Sequence, residues 1–444
     1  MRLLAFSTAL LSAALITVAC SGGGDSDDSA TDAPRPSETI TPEAPPNADS
    51  APGDTGAELP VPPTDRGLIA GLDTSISSIP LVDIVFDLLN LTTVTLAEAD
   101  ESTILRIVDS IPPLDSNRAL LSPEEQVQVG TVRYITAEEA ATVDYIWDTQ
   151  LVLGYVADDE QAYAYPISIL NFHEIINETL AGRPVLVTYC SLCRSGVVYE
   201  RAVEGEVINF GNTSALFQSD AVMFDRDPES ISYWLQVAGE AVVGVHTGQR
   251  LTPLSSITTE WQAWLAQYPD TFVLSDETGF DRPYDTDSFS AFAGAIESAD
   301  RLPFPVDEET LADGRLSISE LALLIEIGSA TRAYGLQSFG SLAINDELGG
   351  QPLAVFINSP SRYGVAFDPV VEGQQLTFAL LGGAFFDVET WSRWDLNGLA
   401  VDGPLAGAQL VILPSRTAFW FSILSAYPAV TVAGVDTSLE AAGA

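Results

Sequence analysis

Two of the three cysteines in this 444-residue chain lie three positions apart, Cys190 and Cys193, within the stretch Pro184 to Arg201, PVLVTYCSLCRSGVVYER. Two thiols at that spacing can grip one metal ion as paired thiolates, exchange as a dithiol and disulfide, or form a local staple. Pure stapling is a weak reason to have the pair, because closing so short a loop gains little entropy. A tetrahedral metal site needs two more ligands, and the only histidines, His173 and His246, or a carboxylate such as Glu174, are the available donors. Zinc, iron or copper fits thiolate with imidazole. The metal or redox expectation therefore rests on Cys190, Cys193, His173 and His246. Thiol exchange ordinarily places Cys-x-x-Cys at a helix N-terminus, whereas here the β-prone Val197-Val198-Tyr199 follows. All three readings stay open at this level.

These side chains must be positioned by strands. The Val-, Leu-, Thr- and Tyr-rich run before Cys190 and the run after Gly196 read as two strands, with Cys190 to Gly196 as a hairpin loop closed by glycine. From Leu151 apolar runs flank an Asp-Asp turn, and Ile169 to Leu180 reads as a short helix. Trp261 to Tyr268 reads as a helix stopped by Pro269, followed by a strand over Thr271 to Leu274. Earlier, Ile79 to Leu91, Glu98 to Val108 and Ala137 to Val143 carry helical signals, which makes 66–150 a small N-terminal packing unit.

The order of landmarks recurs. Ala164-Tyr165, Gly182-Arg183-Pro184, Val203-Glu204-Gly205, Phe224-Asp225 and Trp261 with Tyr268-Pro269 reappear as Ala333-Tyr334, Gly350-Gln351-Pro352, Val371-Glu372-Gly373, Phe386-Asp387 and Trp420 with Tyr427-Pro428. Two degenerate copies are expected, about 160–300 and 330–440, within segments 151–300 and 331–444. A connector, 301–330, holds a helix over Ile318 to Ile327. The cysteine loop aligns with Asn358 to Gly364, which keeps the arginine (Arg194, Arg362) and the glycine but neither thiol. His173 falls near Ser341 and His246 on Leu405, so every thiol and imidazole outside Cys20 belongs to the first copy. Ser219, Asp220, Asp225, Arg226, Thr278 and Arg282 are further candidates to line a cleft. Asp225 recurs as Asp387, which marks it as a buried turn or ion-pair residue.

The formal net charge is -44, and all 18 cations are arginine. Such a surface repels phosphate backbones and weighs against a nucleic-acid partner. Arg2 followed by the apolar run Leu3 to Ala19 reads as a secretory signal, 1–19. It ends Thr17-Val18-Ala19-Cys20, which resembles a lipoprotein signal with Cys20 as the lipidated residue. Residues 20–65, rich in Gly, Ser, Asp and Pro, read as a disordered acidic tether. No nucleophile elbow, phosphate loop or dinucleotide fingerprint is present, so no enzyme class is assigned.

Tyr165-Pro166, His173-Glu174-Ile175, Val187-Thr188-Tyr189-Cys190 with Leu192-Cys193, Ser219-Asp220, Met223 to Arg226, Trp234 with Gln236, and Thr278-Gly279 with Arg282 come in an order that resembles the domain of unknown function 3179 family. Ser191, Arg194 and Ser288-Phe289 depart from its pattern. The resemblance covers roughly 150–290 and implies a secreted or membrane-anchored protein with His173, Cys190 and Cys193 as site residues, without implying a reaction. The expectation is an α+β, mainly β, protein of two packed copies, lipid-anchored at the bacterial cell envelope, with a metal or redox centre at the cysteines. The alternative is a non-enzymatic binding or scaffold module with a structural disulfide, whose protein or small-molecule partner the sequence does not name.

Overall fold

The computed structural model describes residues 71–87, 93–99, 111–226, 231–287 and 304–437, together with Phe289, Gly294, Ile296 and Leu302. The signal, Cys20, the tether and most of the helix expected over Glu98 to Val108 lie outside these residues. Among the described residues no helix is long and apolar enough to cross a membrane.

Strands dominate, as the period-two runs require. Three sheets occupy the first part of the chain. One orders Ser256–Glu260, Leu151–Val156, Ala162–Pro166 and Phe272–Leu274; a second orders Thr252–Leu254, Ser195–Glu200, Arg183–Cys190 and Ile175–Leu180; a third orders Glu240–Gly244, Ser232–Leu235, Asp220–Asp225 and Phe210–Phe217. The same three orders return later in the chain. They are Ser415–Phe419, Leu321–Ile327, Ala330–Gly335 and Thr431–Val432; then Val411–Ile412, Tyr363–Asp368, Gln351–Asn358 and Leu342–Leu348; then Ala400–Asp402, Arg393–Trp394, Ala384–Asp387 and Phe378–Leu381.

Local chemistry matches between the two sets. Ala181-Gly182 and Gly349-Gly350 turn in the left-handed region, as do Glu204-Gly205 and Glu372-Gly373, the conformation a two-residue hairpin requires. The amide of Asn177 brackets the backbone of Phe210 at 2.8 and 2.9 Å, and that of Asn345 brackets Phe378 at 2.8 Å on both sides.

Several sequence expectations are corrected. Ile318 to Ile327 is not a helix: Leu321–Ile327 is a central strand between Ala330–Gly335 and Ser415–Phe419. Its apolar run is buried on both faces, so it shows no period to distinguish strand from helix. The second set therefore begins inside the segment taken as connector. Of Ile79 to Leu91, the described part, 79–87, forms a 3-10 turn, Leu81–Asp83, and the strand Ile84–Asp87, while 88–91 lie outside the described residues. Ile169 to Leu180 divides at Glu174, whose left-handed backbone (φ 54°) ends the helix Ile167–His173 and starts the strand Ile175–Leu180. The N-terminal region is spliced into the first set: Ile84–Asp87 and Thr93–Thr95 extend one sheet, Leu114–Asp115 and Gly130–Thr131 another, and Tyr134–Thr136 the third. The helices Ala137–Ala140 and Trp261–Gln267 and the strand Phe272–Leu274 stand where expected.

The two sets share one interior. Cys190, Cys193 and Ala221 pack in a cluster with Leu321, Leu323, Phe419 and Phe421 of the second set. Buried Arg416 reaches back to the carbonyl of Val237 at 2.8 Å and pairs with Glu326 at 2.6 Å, while Arg250 holds the other oxygen of Glu326 at 2.6 Å.

Candidate functional site

The cysteine hairpin is built by the strands Arg183–Cys190 and Ser195–Glu200, with Cys190 opposite Ser195. Between them Ser191 to Arg194 make a tight turn in which Arg194 takes a left-handed conformation (φ 52°), and Arg362 takes the same one after Asn358 (φ 52°). The two arginines thus hold the same backbone position in equivalent turns. Gly196 is kept small by the neighbouring sheet, because a Cβ there would lie 3.0 Å from Thr258 Oγ1 and 3.1 Å from Leu153.

Cys190 and Cys193 form a disulfide across this turn, with Cα atoms 5.5 Å apart. Both are buried, at 1 % and 0 % exposure. Oδ1 of Asp220 lies 2.9 Å from Cys193 Sγ, and its Oδ2 accepts the amide of Val237 at 3.2 Å. Asp220 is itself buried, and loss of solvent pushes its carboxyl up to about 7. The two sulfurs and this carboxylate are the one group of three metal-competent ligands among the described residues, their ligand atoms all within 4.8 Å of one another.

A longer hairpin brings Asp220 there. Phe210 pairs with Asp225 and Phe378 with Asp387, but the first hairpin continues past that shared base to Phe217 and Asp220, whereas the second closes at Leu381 and Ala384. The added arm pairs with the N-terminal strand, Ile84 opposite Phe217 and Phe86 opposite Ala215. Its tip, Gln218 and Ser219, has two consecutive left-handed non-glycine residues (φ 51° and 64°), a conformation that costs roughly 1–2 kcal/mol per residue. Their side chains bond the connector: Gln218 Oε1 accepts the Asp307 amide at 2.6 Å, and Ser219 Oγ donates to the Phe304 carbonyl at 3.2 Å.

The other expected ligands are not in that group. His173 is fully buried; its Nδ1 bonds the Pro112 carbonyl at 2.8 Å and its Nε2 bonds the Tyr284 hydroxyl at 2.6 Å. Burial pushes its imidazole down to about 4. Both ring nitrogens are thus engaged, and His173 is outside the ligand group. The Tyr284 hydroxyl also bonds Thr278 at 2.7 Å, so the loop carrying Thr278 and Arg282 is docked on His173. Partly buried Glu174 accepts from Asn212, and desolvation pushes its carboxyl up to about 8. His246 is partly exposed, its ring 5.9 Å from that of Trp234 and its amide donating to Ser232 Oγ at 2.9 Å; the amide of Leu405 does the same to Ser392. Asp225 is a buried acceptor for Trp234, and the amide of Arg226 donates to the Asn209 carbonyl at 2.8 Å.

Some neighbours of the centre gave no earlier signal. Ser191 Oγ donates to Asn171 at 2.8 Å, and Asn171 donates to Asp287 at 3.0 Å. From the second set, the Phe419 amide donates to the Cys193 carbonyl at 3.0 Å, and the hydroxyl of Ser422 faces Asp220. That hydroxyl is fully buried and makes no hydrogen bond of normal geometry among the described residues. Aligning Trp420 on Trp261 sets Ser422 against Ala263, a difference the sequence held but gave no reason to notice.

The model of one family, described as a protein of unknown function (DUF3179), matches residues 128–430. The chain belongs to this family. The match takes in both sets of sheets, more than the stretch whose motifs suggested it. No curated protein and no solved structure matches the chain.

Proposed function

We propose that this DUF3179 protein is a thiol redox protein of the bacterial cell envelope, exported by its N-terminal signal and held to the membrane through lipidated Cys20. Its two sets of sheets are degenerate copies of one unit, the second of which has lost the sulfur chemistry and serves as a structural partner. Of the two chemistries the hairpin suggests, metal binding and redox, the bonded state of the sulfurs favours redox. The observation that carries the reading is the buried Asp220 carboxylate 2.9 Å from Cys193 Sγ. A staple alone has no use for it, and burying a carboxylate is costly unless it is well bonded. When a dithiol donor supplies two electrons and two protons and is itself oxidised to a disulfide, the S–S bond breaks and each cysteine gains an S–H, that of Cys193 donating to Asp220 Oδ1.

Equilibration of the intact protein with dithiol buffers of graded potential, read by alkylation and thiol count, tests this. A reversible two-thiol transition in folded protein is expected. Asp220→Ala removes the S–H acceptor and is expected to lower the potential by roughly 30–60 mV, taking a charge-assisted bond as ~1.5–3 kcal/mol. The burial of both sulfurs favours the rival reading, a scaffold module with a structural disulfide. A pair reduced only as the protein unfolds would decide for that reading.

A further inference from the structure

We propose that reduction turns this centre into a site for a thiophilic divalent cation, with zinc as the fitting ion, ligated by Cys190 Sγ, Cys193 Sγ and Asp220, with the buried Ser422 hydroxyl beside Asp220. The inference rests on the redox reading and adds what the reduced state binds.

Three observations carry it. The ligand atoms of Cys190, Cys193 and Asp220 already lie within 4.8 Å of one another, close enough to converge on one ion with bonds of about 2.0–2.3 Å. Ser422, 0 % exposed and without a hydrogen bond of normal geometry among the described residues, lies beside the carboxylate from the other set of sheets. The turn that joins the cysteines holds both sulfurs on one side, as a paired-thiolate grip requires.

Charge and softness select the ion. Two thiolates and a carboxylate carry three negative charges, and a divalent cation leaves one. The buried Arg416 guanidinium donates to the Val237 carbonyl at 2.8 Å while the Val237 amide donates to Asp220, so the carboxylate is held by backbone that the other set of sheets braces. Sulfur ligands favour zinc over magnesium or calcium. Neither histidine is required. In the disulfide the sulfurs are bonded to each other and no thiolate exists, so the oxidised protein offers no such grip. On loading, each ion displaces the two S–H protons, and no electron moves.

The test is zinc titration of the intact protein, oxidised and reduced, against a chromophoric chelator, with the thiol count measured in parallel. The reduced protein is expected to take about one equivalent and the oxidised protein none. Cobalt in place of zinc is expected to give a thiolate charge-transfer band in unmodified protein, a readout independent of any variant's folding. Ser422→Ala, far from the hairpin in sequence, is expected to weaken zinc binding roughly tenfold with the thiol count unchanged. Two free thiols with no zinc uptake and no cobalt band overturn this inference and leave the redox reading standing. Thiols that cannot be freed in folded protein overturn both.

Discussion

Asp225 accepts the indole N–H of Trp234 at 3.0 Å, and 160 or so residues later Asp387 accepts that of Trp394 at 2.9 Å, each carboxylate fully buried. Each also accepts a serine amide, Ser232 or Ser392. Such corners fix the third sheet of each set and have no access to the sulfurs. Asp225→Ala and Asp387→Ala should each cost ~2–4 kcal/mol, since a charge-assisted bond is lost and a buried indole donor is orphaned. Urea unfolding of the two variants checks this, and the potential of the cysteine pair should stay where it was.

A second expectation concerns pH. Glu178 is buried, accepts the Tyr134 hydroxyl at 3.0 Å, and is pushed up to about 8, chiefly by loss of solvent. Its folded pKa exceeds its unfolded one, so across the window from about 4.5 to about 8 the folded protein keeps a proton that the unfolded chain has released. Stability must fall as pH rises through that window, by at most ~1.4 kcal/mol per pH unit for this one group. Glu178→Gln still accepts from Tyr134 but carries no proton to lose. Its stability relative to the native protein should climb with pH; a difference that stays level would show Glu178 ionised throughout. His173 has the opposite sign. Held neutral down to about 4, it withdraws stability as pH falls from 6.5.

The seam supplies a third. Glu326 lies between Arg250 and the 3 % exposed Arg416. Replacing Arg416 by alanine should cost ~1.5–3 kcal/mol, less than for a buried charge left with no partner, because Glu326 keeps Arg250. Because the two residues act together, the loss in a variant lacking both Arg416 and Glu326 should be well short of the sum of the single losses. Strict additivity in the cycle would remove the pairing from the account.

The fourth follows from the hairpin tip. Leu302 and Val306 of the connector pack against the cluster that contains both cysteines, and Gln218 and Ser219 tie down the connector next to them. Replacing both by alanine leaves the disulfide intact and unfastens its cover. Reduction of folded protein by a small dithiol should then be faster, with far-UV circular dichroism unchanged. An unaltered rate would place the barrier to reduction elsewhere.

Much of the architecture was legible because it repeats: Trp261 with Tyr268 and Trp420 with Tyr427 mark equivalent helices, and the Glu-Gly turns mark equivalent hairpins. The sulfur pair was legible from spacing alone. Two things were not. Leu321–Ile327 is apolar on both faces, so composition could not tell a central strand from a helix. The histidines, like the cysteines, are missing from the second copy and so read as their partners beside a carboxylate such as Glu174, yet His173 spends both nitrogens on Pro112 and Tyr284. Asp220 was one acid among 62 acidic residues. The sequence offered it only as one of several residues to line a cleft; the elongated arm, a matter of register, is what brings it to the sulfurs.

The disulfide belongs to the first half of the chain, but its surroundings do not. Phe419 bonds the carbonyl of Cys193, Ser422 faces Asp220, and Arg416 holds the far side of Val237. A half that carries no cysteine and no histidine therefore supplies part of the wall around the sulfurs. On the redox reading, substitutions near the C-terminus would alter the surroundings of an unchanged Cys-x-x-Cys. The signature and its enclosure are thus written in separate parts of the chain.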